Sequence, residues 1–197
     1  METQTTEHRK LAHTDFPVID LIRERWSPRS FTPEVPTEAQ LQTLAEAAAW
    51  APSANNEQPW FFLMARRGTE GFDKLADALM PGNKIWAQHA GALILSAART
   101  QFAANGNPNA YAKHDVGMAH GFLALQARSM DLYTHFMGGF EKDKAQLLLP
   151  ESPVLEPVAM IALGFLGDAA QLEEPFLSRE KTPRSRKAMN EYLQLLA

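Results

Sequence analysis

An α+β fold is predicted, and three observations carry the prediction. Helical and strand-like runs alternate, but irregularly; the connections between them are long; and no glycine fingerprint follows a strand. A doubly wound Rossmann sheet would need tighter strand–helix units and a G-x-G-x-x-G turn, and neither is visible.

Taken in order, Phe16 to Arg25 places Val18, Leu21, Ile22 and Arg25 at helical spacing, with Asp15 as a cap and Pro17 in the first turn. Thr37-Glu38-Ala39-Gln40 fits a capping box, and Leu41, Leu44, Ala45 and Ala48 continue one apolar face up to Trp50, before Pro52. Trp60 to Ala65 reads as a buried strand, and Gly71 to Leu79 as a short helix stopped by Pro81-Gly82. Gly91 to Ala97 is a second buried strand, followed by a polar surface loop over Gln101–Asn109. His114 to Met130 is a long helix, Leu132 to Phe136 a strand, Glu141 to Leu148 a short helix and Val158 to Leu163 a further strand. Arg186 to Leu196 closes the chain with helical character.

The 197 residues suit one domain, read as residues 15–197 behind a flexible, polar N-terminus over 1–14 without a signal-peptide core. No apolar run approaches the roughly 20 residues that span a bilayer. A net charge of −4 gives no general attraction for nucleic acid or anionic membranes, so any basic site is local. The absence of cysteine excludes disulfides, thiolate metal sites and a cysteine nucleophile, and fits a cytoplasmic protein.

Ala51-Pro52-Ser53-Ala54-Asn55-Asn56-Glu57-Gln58-Pro59-Trp60 is the most informative stretch. It buries little apolar surface but offers backbone groups, a hydroxyl and carboxamides, whose planar donor–acceptor pairs suit the edge of a heterocycle. The alternative is a connection whose amides satisfy only their own backbone. Arg25-Trp26-Ser27-Pro28-Arg29-Ser30-Phe31 lies about 25 residues upstream. Its guanidinium groups and hydroxyls can clamp an anion, since the arginine fork matches phosphate oxygens.

In this order and spacing the two segments resemble the FMN-dependent nitroreductase family, with its R-x-S-x-R segment followed, after the next helix, by P-S-x-x-N-x-Q-P-W. The matches are Arg25, Ser27 and Arg29, then Pro52, Ser53, Asn56, Gln58, Pro59 and Trp60. The resemblance spans about Phe16 to Leu193 and implies a mixed central sheet flanked by helices, in an intertwined homodimer with FMN at the subunit interface. It implies flavin contacts from Arg25, Trp26, Ser27 and Arg29, from Pro52, Ser53, Ala54, Asn56 and Gln58, and from Asn83 towards the pyrimidine ring, the alternative for Asn83 being a turn after Pro81-Gly82 that favours asparagine for its conformation alone. Gly139 is the implied contact to flavin N5, with Gly138 and Met137 beside it; Arg186 and Arg184 reach the phosphate. The family's Pro-Leu pair after the terminal basic residues is here Ala188-Met189.

The implied activity is ping-pong transfer from NADH or NADPH to nitroaromatic, quinone-like or related electrophilic acceptors, with no side chain required as a general acid. Enone reduction, dehalogenation and non-catalytic FMN storage are the alternatives. A serine hydrolase is not supported, since no G-x-S-x-G elbow occurs, and the six histidines show no metal-binding spacing. His114-Asp115 reads as a helix start, and His120 and His135 as packing or interface residues.

Overall fold

The computed structural model describes residues 10–196. Four strands, β1 (Trp60–Arg66), β2 (Ala92–Arg99), β3 (Leu132–Met137) and β4 (Leu155–Phe165), form one sheet in the order β1-β2-β4-β3. All three pairings are antiparallel, so within the chain itself the sheet is not mixed as expected. Helices cover both faces: α1 (Asp20–Glu24), α2 (Glu38–Ala49), α3 (Glu70–Asp77), α4 (Pro81–Ala87), α5 (Ala112–Ser129), α6 (Lys142–Leu148) and α7 (Phe176–Lys181).

The layering follows from the two-residue period of the strands. Leu93, Leu95 and Ala97 of β2 join Met160 and Ala162 of β4 on one face, against Phe72, Leu75, Trp86 and Ala145 of α3, α4 and α6. Ala92 and Ile94 join Ile161 and Leu163 on the other, against Leu41 and Leu44 of α2 and Leu123 and Ala127 of α5. Because both faces are covered, the central strands read as continuous apolar runs rather than alternating ones.

The capping box at Thr37 and Gln40 is present, with mutual bonds of 2.8 and 3.1 Å, and α2 ends at Trp50 as expected. Three expectations are corrected. The first helix is only Asp20–Glu24, with Ile19 rather than Asp15 at its N-terminus; it buries no residue, so its apolar spacing has no core to face. Pro81-Gly82 opens α4 instead of ending α3, because proline is tolerated at the first helical position, where no N–H is needed. The closing helix is a single 3-10 turn at Met189–Glu191, and α7 precedes it unforeseen. Residues 1–9 of the expected flexible N-terminus lie outside the described residues; within the remainder, Ala12 N–H donates to the Arg23 carbonyl at 2.9 Å.

Candidate active site

Arg25 terminates α1 in extended geometry, and Pro28 keeps the next residues out of the helix. The segment then lies along the β3 edge. The Trp26 ring is buried edge-on against Tyr133, with centroids 6.2 Å apart, so the indole serves the core and leaves only main chain for a ligand. His135 of β3 bonds through Nδ1 to the Pro28 carbonyl at 2.9 Å. A carbonyl can only accept, so Nδ1 carries the proton. Gly167 permits the close approach that follows: a Cβ there would stand 2.7 Å from the Phe31 carbonyl carbon.

Arg25, Arg184 and Arg186 lie close enough to repel one another. Burial lowers the pKa of Arg25, and Arg186 adds to that; Arg184 is lowered by burial, then by Arg25 and Arg186. Among the described residues no carboxylate pairs with any of the three. Arg184 donates to the carbonyls of Lys10 and Arg23 at 2.9 and 2.6 Å, which roots it beside α1. Arg29 differs. Its charge faces Glu180, whose Coulombic pull opposes the lowering by burial, and its guanidinium lies 5.7 Å from the centre of the Trp86 ring.

Asn83 sits on α4, not in a turn, and its Nδ2 donates to the Gly139 carbonyl at 2.9 Å. The two predicted residues therefore meet, and a Cβ on Gly139 would lie 2.6 Å from that nitrogen. Met137 is buried, whereas the N–H groups of Gly138 and Gly139 donate no hydrogen bond among the described residues. His135 packs on Trp86 with centroids 4.5 Å apart, which joins this corner to the Arg29 segment.

Burial pushes His135 down to about 4, Arg29 in the same direction, against the Pro28 carbonyl. Burial alone lowers His120, packed 4.9 Å from Phe136, to about 4. Both are neutral at pH 7, as packing residues should be. Between pH 6.5 and about 4 the unfolded chain binds protons that the folded chain refuses, so stability is full above 6.5 and lost as pH falls through that window. Denaturant unfolding at pH 5 is expected to show a loss on the order of 2 kcal/mol per histidine relative to pH 7.5. His120→Phe should remove about half of that dependence; an unchanged pH profile would contradict the neutral assignment.

The carboxamide loop is built separately. Ala54–Asn56 forms a 3-10 turn, and Asn55, Asn56 and Gln58 take positive φ of 53°, 56° and 50°. Asparagine tolerates that region through local hydrogen bonding; glutamine does so rarely. The strain is held by one bond within the loop, Gln58 N–H to Ser53 Oγ at 3.0 Å, and by two to residues outside it: Ala54 N–H to Asp115 at 2.9 Å and Ala103 N–H to Glu57 at 2.6 Å. Asn55, Asn56 and Gln58 are exposed, and the Gln58 amide turns back to the Asn56 carbonyl at 3.0 Å.

Thus the structure joins Arg25, Arg184 and Arg186 in one group, and Arg29, Asn83 and the glycine pair in a neighbouring one. The loop is remote from both. Asp115, which pins it, stands near the start of α5, while Arg128 near its end bonds to Glu24 at 3.2 Å, next to Arg25. Thirteen residues of helix separate those points, roughly 20 Å. A cleft of about 540 Å³ opens beside Arg29 and Trp86, yet Arg29 alone of the predicted residues lines it. Sequence reading missed Glu180, Trp86 and the anchoring role of Asp115. Only Asp115 carried a signal, at the opening of the long helix.

A family model described as the nitroreductase family matches residues 22–165. The chain belongs to that family. A solved oxidoreductase containing FMN is 31% identical and superposes with a TM-score of 0.88, covering 98% of this chain and 96% of its own. A protein from Desulfovibrio desulfuricans, described as a nitroreductase and solved in complex with FMN, is 26% identical with a TM-score of 0.70 over 93% of this chain and 99% of its own. An uncharacterized 15.4 kDa protein from the ask 5' region of Mycolicibacterium smegmatis is 34% identical over 139 residues, 66% of this chain and 91% of that protein.

Proposed function

We propose that the protein is an FMN-dependent oxidoreductase that takes hydride from NADH or NADPH and passes electrons to nitroaromatic, quinone-like or related electrophilic acceptors. The observation that carries the reading is the trio Arg25, Arg184 and Arg186, clustered like charges of which none is paired with a carboxylate among the described residues. A phosphate dianion offsets such a cluster. The remaining parts fit a flavin as well. The open N–H groups at Gly138 and Gly139 suit a ring-nitrogen acceptor, Asn83 bonds to Gly139, Arg29 lies over Trp86, and the Asn56 carboxamide suits a heterocycle edge. The flavin supplies the redox chemistry; the chain binds it, orients it and excludes water.

A homodimer completes the site. The exposed flank of α5 carries Gly117, Gly121, Met118 and Phe122, and a Cβ on either glycine would meet nothing within 4 Å. Ile22 and Trp50 extend the same apolar face, and a shallow depression of about 310 Å³ lies among Leu21, Ala47, Trp50, Phe122 and Leu125. Phe122 stands midway between Asp115 and Arg128. A two-fold axis there runs the α5 helices antiparallel and carries one subunit's Asn56 loop to the other's arginines. No helix among the described residues is long and apolar enough to cross a membrane, and a cytoplasmic location accords with the cysteine-free composition.

A visible spectrum of the purified protein, before and after anaerobic NADH or NADPH, tests the proposal. A flavin spectrum that bleaches is expected. A flavin that stays oxidised with both donors favours FMN storage, and a protein that refuses added FMN removes the assignment.

A further inference from the structure

The chain beyond β4 brings two of the three clustered arginines to the site, yet apolar burial does little to hold it there. From Ala170 to Leu196 the one buried residue is Glu180, with 0% exposure. Leu172 and Phe176 only touch the edge of the core. The α7 helix that carries Glu180 has six residues, too few for a helix to persist on its own. Polar bonds do the fastening. Glu180 accepts from Arg29 N–H at 2.9 and 3.1 Å and from Ser30 N–H at 3.2 Å; Lys10 Nζ donates to the Thr182 carbonyl at 2.8 Å; and Ser30 Oγ donates to the Asp168 carbonyl at 2.5 Å.

The Arg29–Ser30 amides thus already hold an anion belonging to the chain. A ligand phosphate is left to Arg25, Arg184 and Arg186; the last two lie on the segment that Glu180 fastens, where Arg184 also donates to the Lys10 and Arg23 carbonyls. Seating it drives three cations together, which opposes docking until a dianion arrives. Each step therefore favours the other, as linkage requires.

We propose that Glu180 is the positioning residue of the phosphate site: its carboxylate, seated on the Arg29 and Ser30 amides, docks residues 168–187 as a strap whose closure is coupled to binding of a phosphate monoester. The inference rests on the flavin reading above and names a residue that acts through Arg184 and Arg186.

The test compares FMN with riboflavin, which has the same ring but no phosphate, on the full-length protein. Wild type prefers FMN, and FMN but not riboflavin slows tryptic cleavage after Arg184 and Arg186. Glu180→Gln, which keeps an acceptor of the same shape, lowers the FMN-over-riboflavin preference at least tenfold. It leaves riboflavin affinity and the thermal midpoint in place, and FMN protection from trypsin is lost. In an Arg184→Ala/Arg186→Ala background the same substitution changes nothing further, since the strap's contribution is already gone. A preference that stays the same or rises in Glu180→Gln overturns the proposal, because a mere counter-charge to Arg29 and Lys10 would act that way. So does equal protection from trypsin by both flavins. Binding of neither flavin to wild type sinks the flavin reading itself, whereas equal affinity for both sinks only the phosphate site.

Discussion

Arg25→Ala is expected to weaken FMN binding by about 1.5–3 kcal/mol, the range for a charged hydrogen bond, or roughly 10- to 150-fold. Riboflavin affinity should hardly move. Arg25 is the member of the trio that needs no strap: it lies at the end of α1, and burial and Arg186 together set its environment. Its side chain makes no hydrogen bond among the described residues, so its removal leaves no buried partner stranded. Arg29→Ala should behave differently. Its charge is matched by Glu180 and it lies over Trp86, so it is expected to weaken FMN and riboflavin alike. Fluorescence titration of the apoprotein with both flavins separates the two cases. An unchanged FMN-to-riboflavin ratio in Arg25→Ala would remove the phosphate from this cluster.

What the sequence made legible was local. The capping box at Thr37, the apolar runs of β1, β2 and β4 and the face of α5 are short-range patterns, and each forms where its pattern lies. Charged and amide motifs were legible as chemistry, but not as geometry. Arg25 and Arg29 stand four positions apart and read as one clamp; yet Arg25 joins Arg184 and Arg186, while Arg29 joins Glu180 and Trp86. The pairing of Glu180 with Arg29 spans 151 positions, and no periodicity announces it. Where sequence reading failed on the fold, local propensity had no tertiary support. The apolar residues around Phe16 and Ile19 are exposed, and among the described residues the tail after Arg186 contributes no buried side chain. Short amphipathic segments without a surface to cover do not sustain a helix. Both segments present that unspent apolar surface to the outside.

Phe122→Asp is expected to convert the protein to a monomer and to strip its flavin. Phe122 is 41% exposed and Trp50 78% exposed, an amount of aromatic surface that a partner would cover. Under two-fold symmetry one substitution places two carboxylates at the axis, each without a cation, and the effective penalty is several kcal/mol for each. The cofactor should leave with the partner, because Asn56 and Arg25 lie at opposite ends of α5 and one chain cannot bring both to the same FMN. The fold should survive, since the buried face of α5, with Val116, Ala119, Leu123 and Ala127, is untouched. Light scattering with simultaneous absorbance reads mass and flavin together. A monomer that retains one flavin per chain would sink the shared site, since the Asn56 loop would then contribute nothing to binding. A dimer with full flavin would move the two-fold axis off α5.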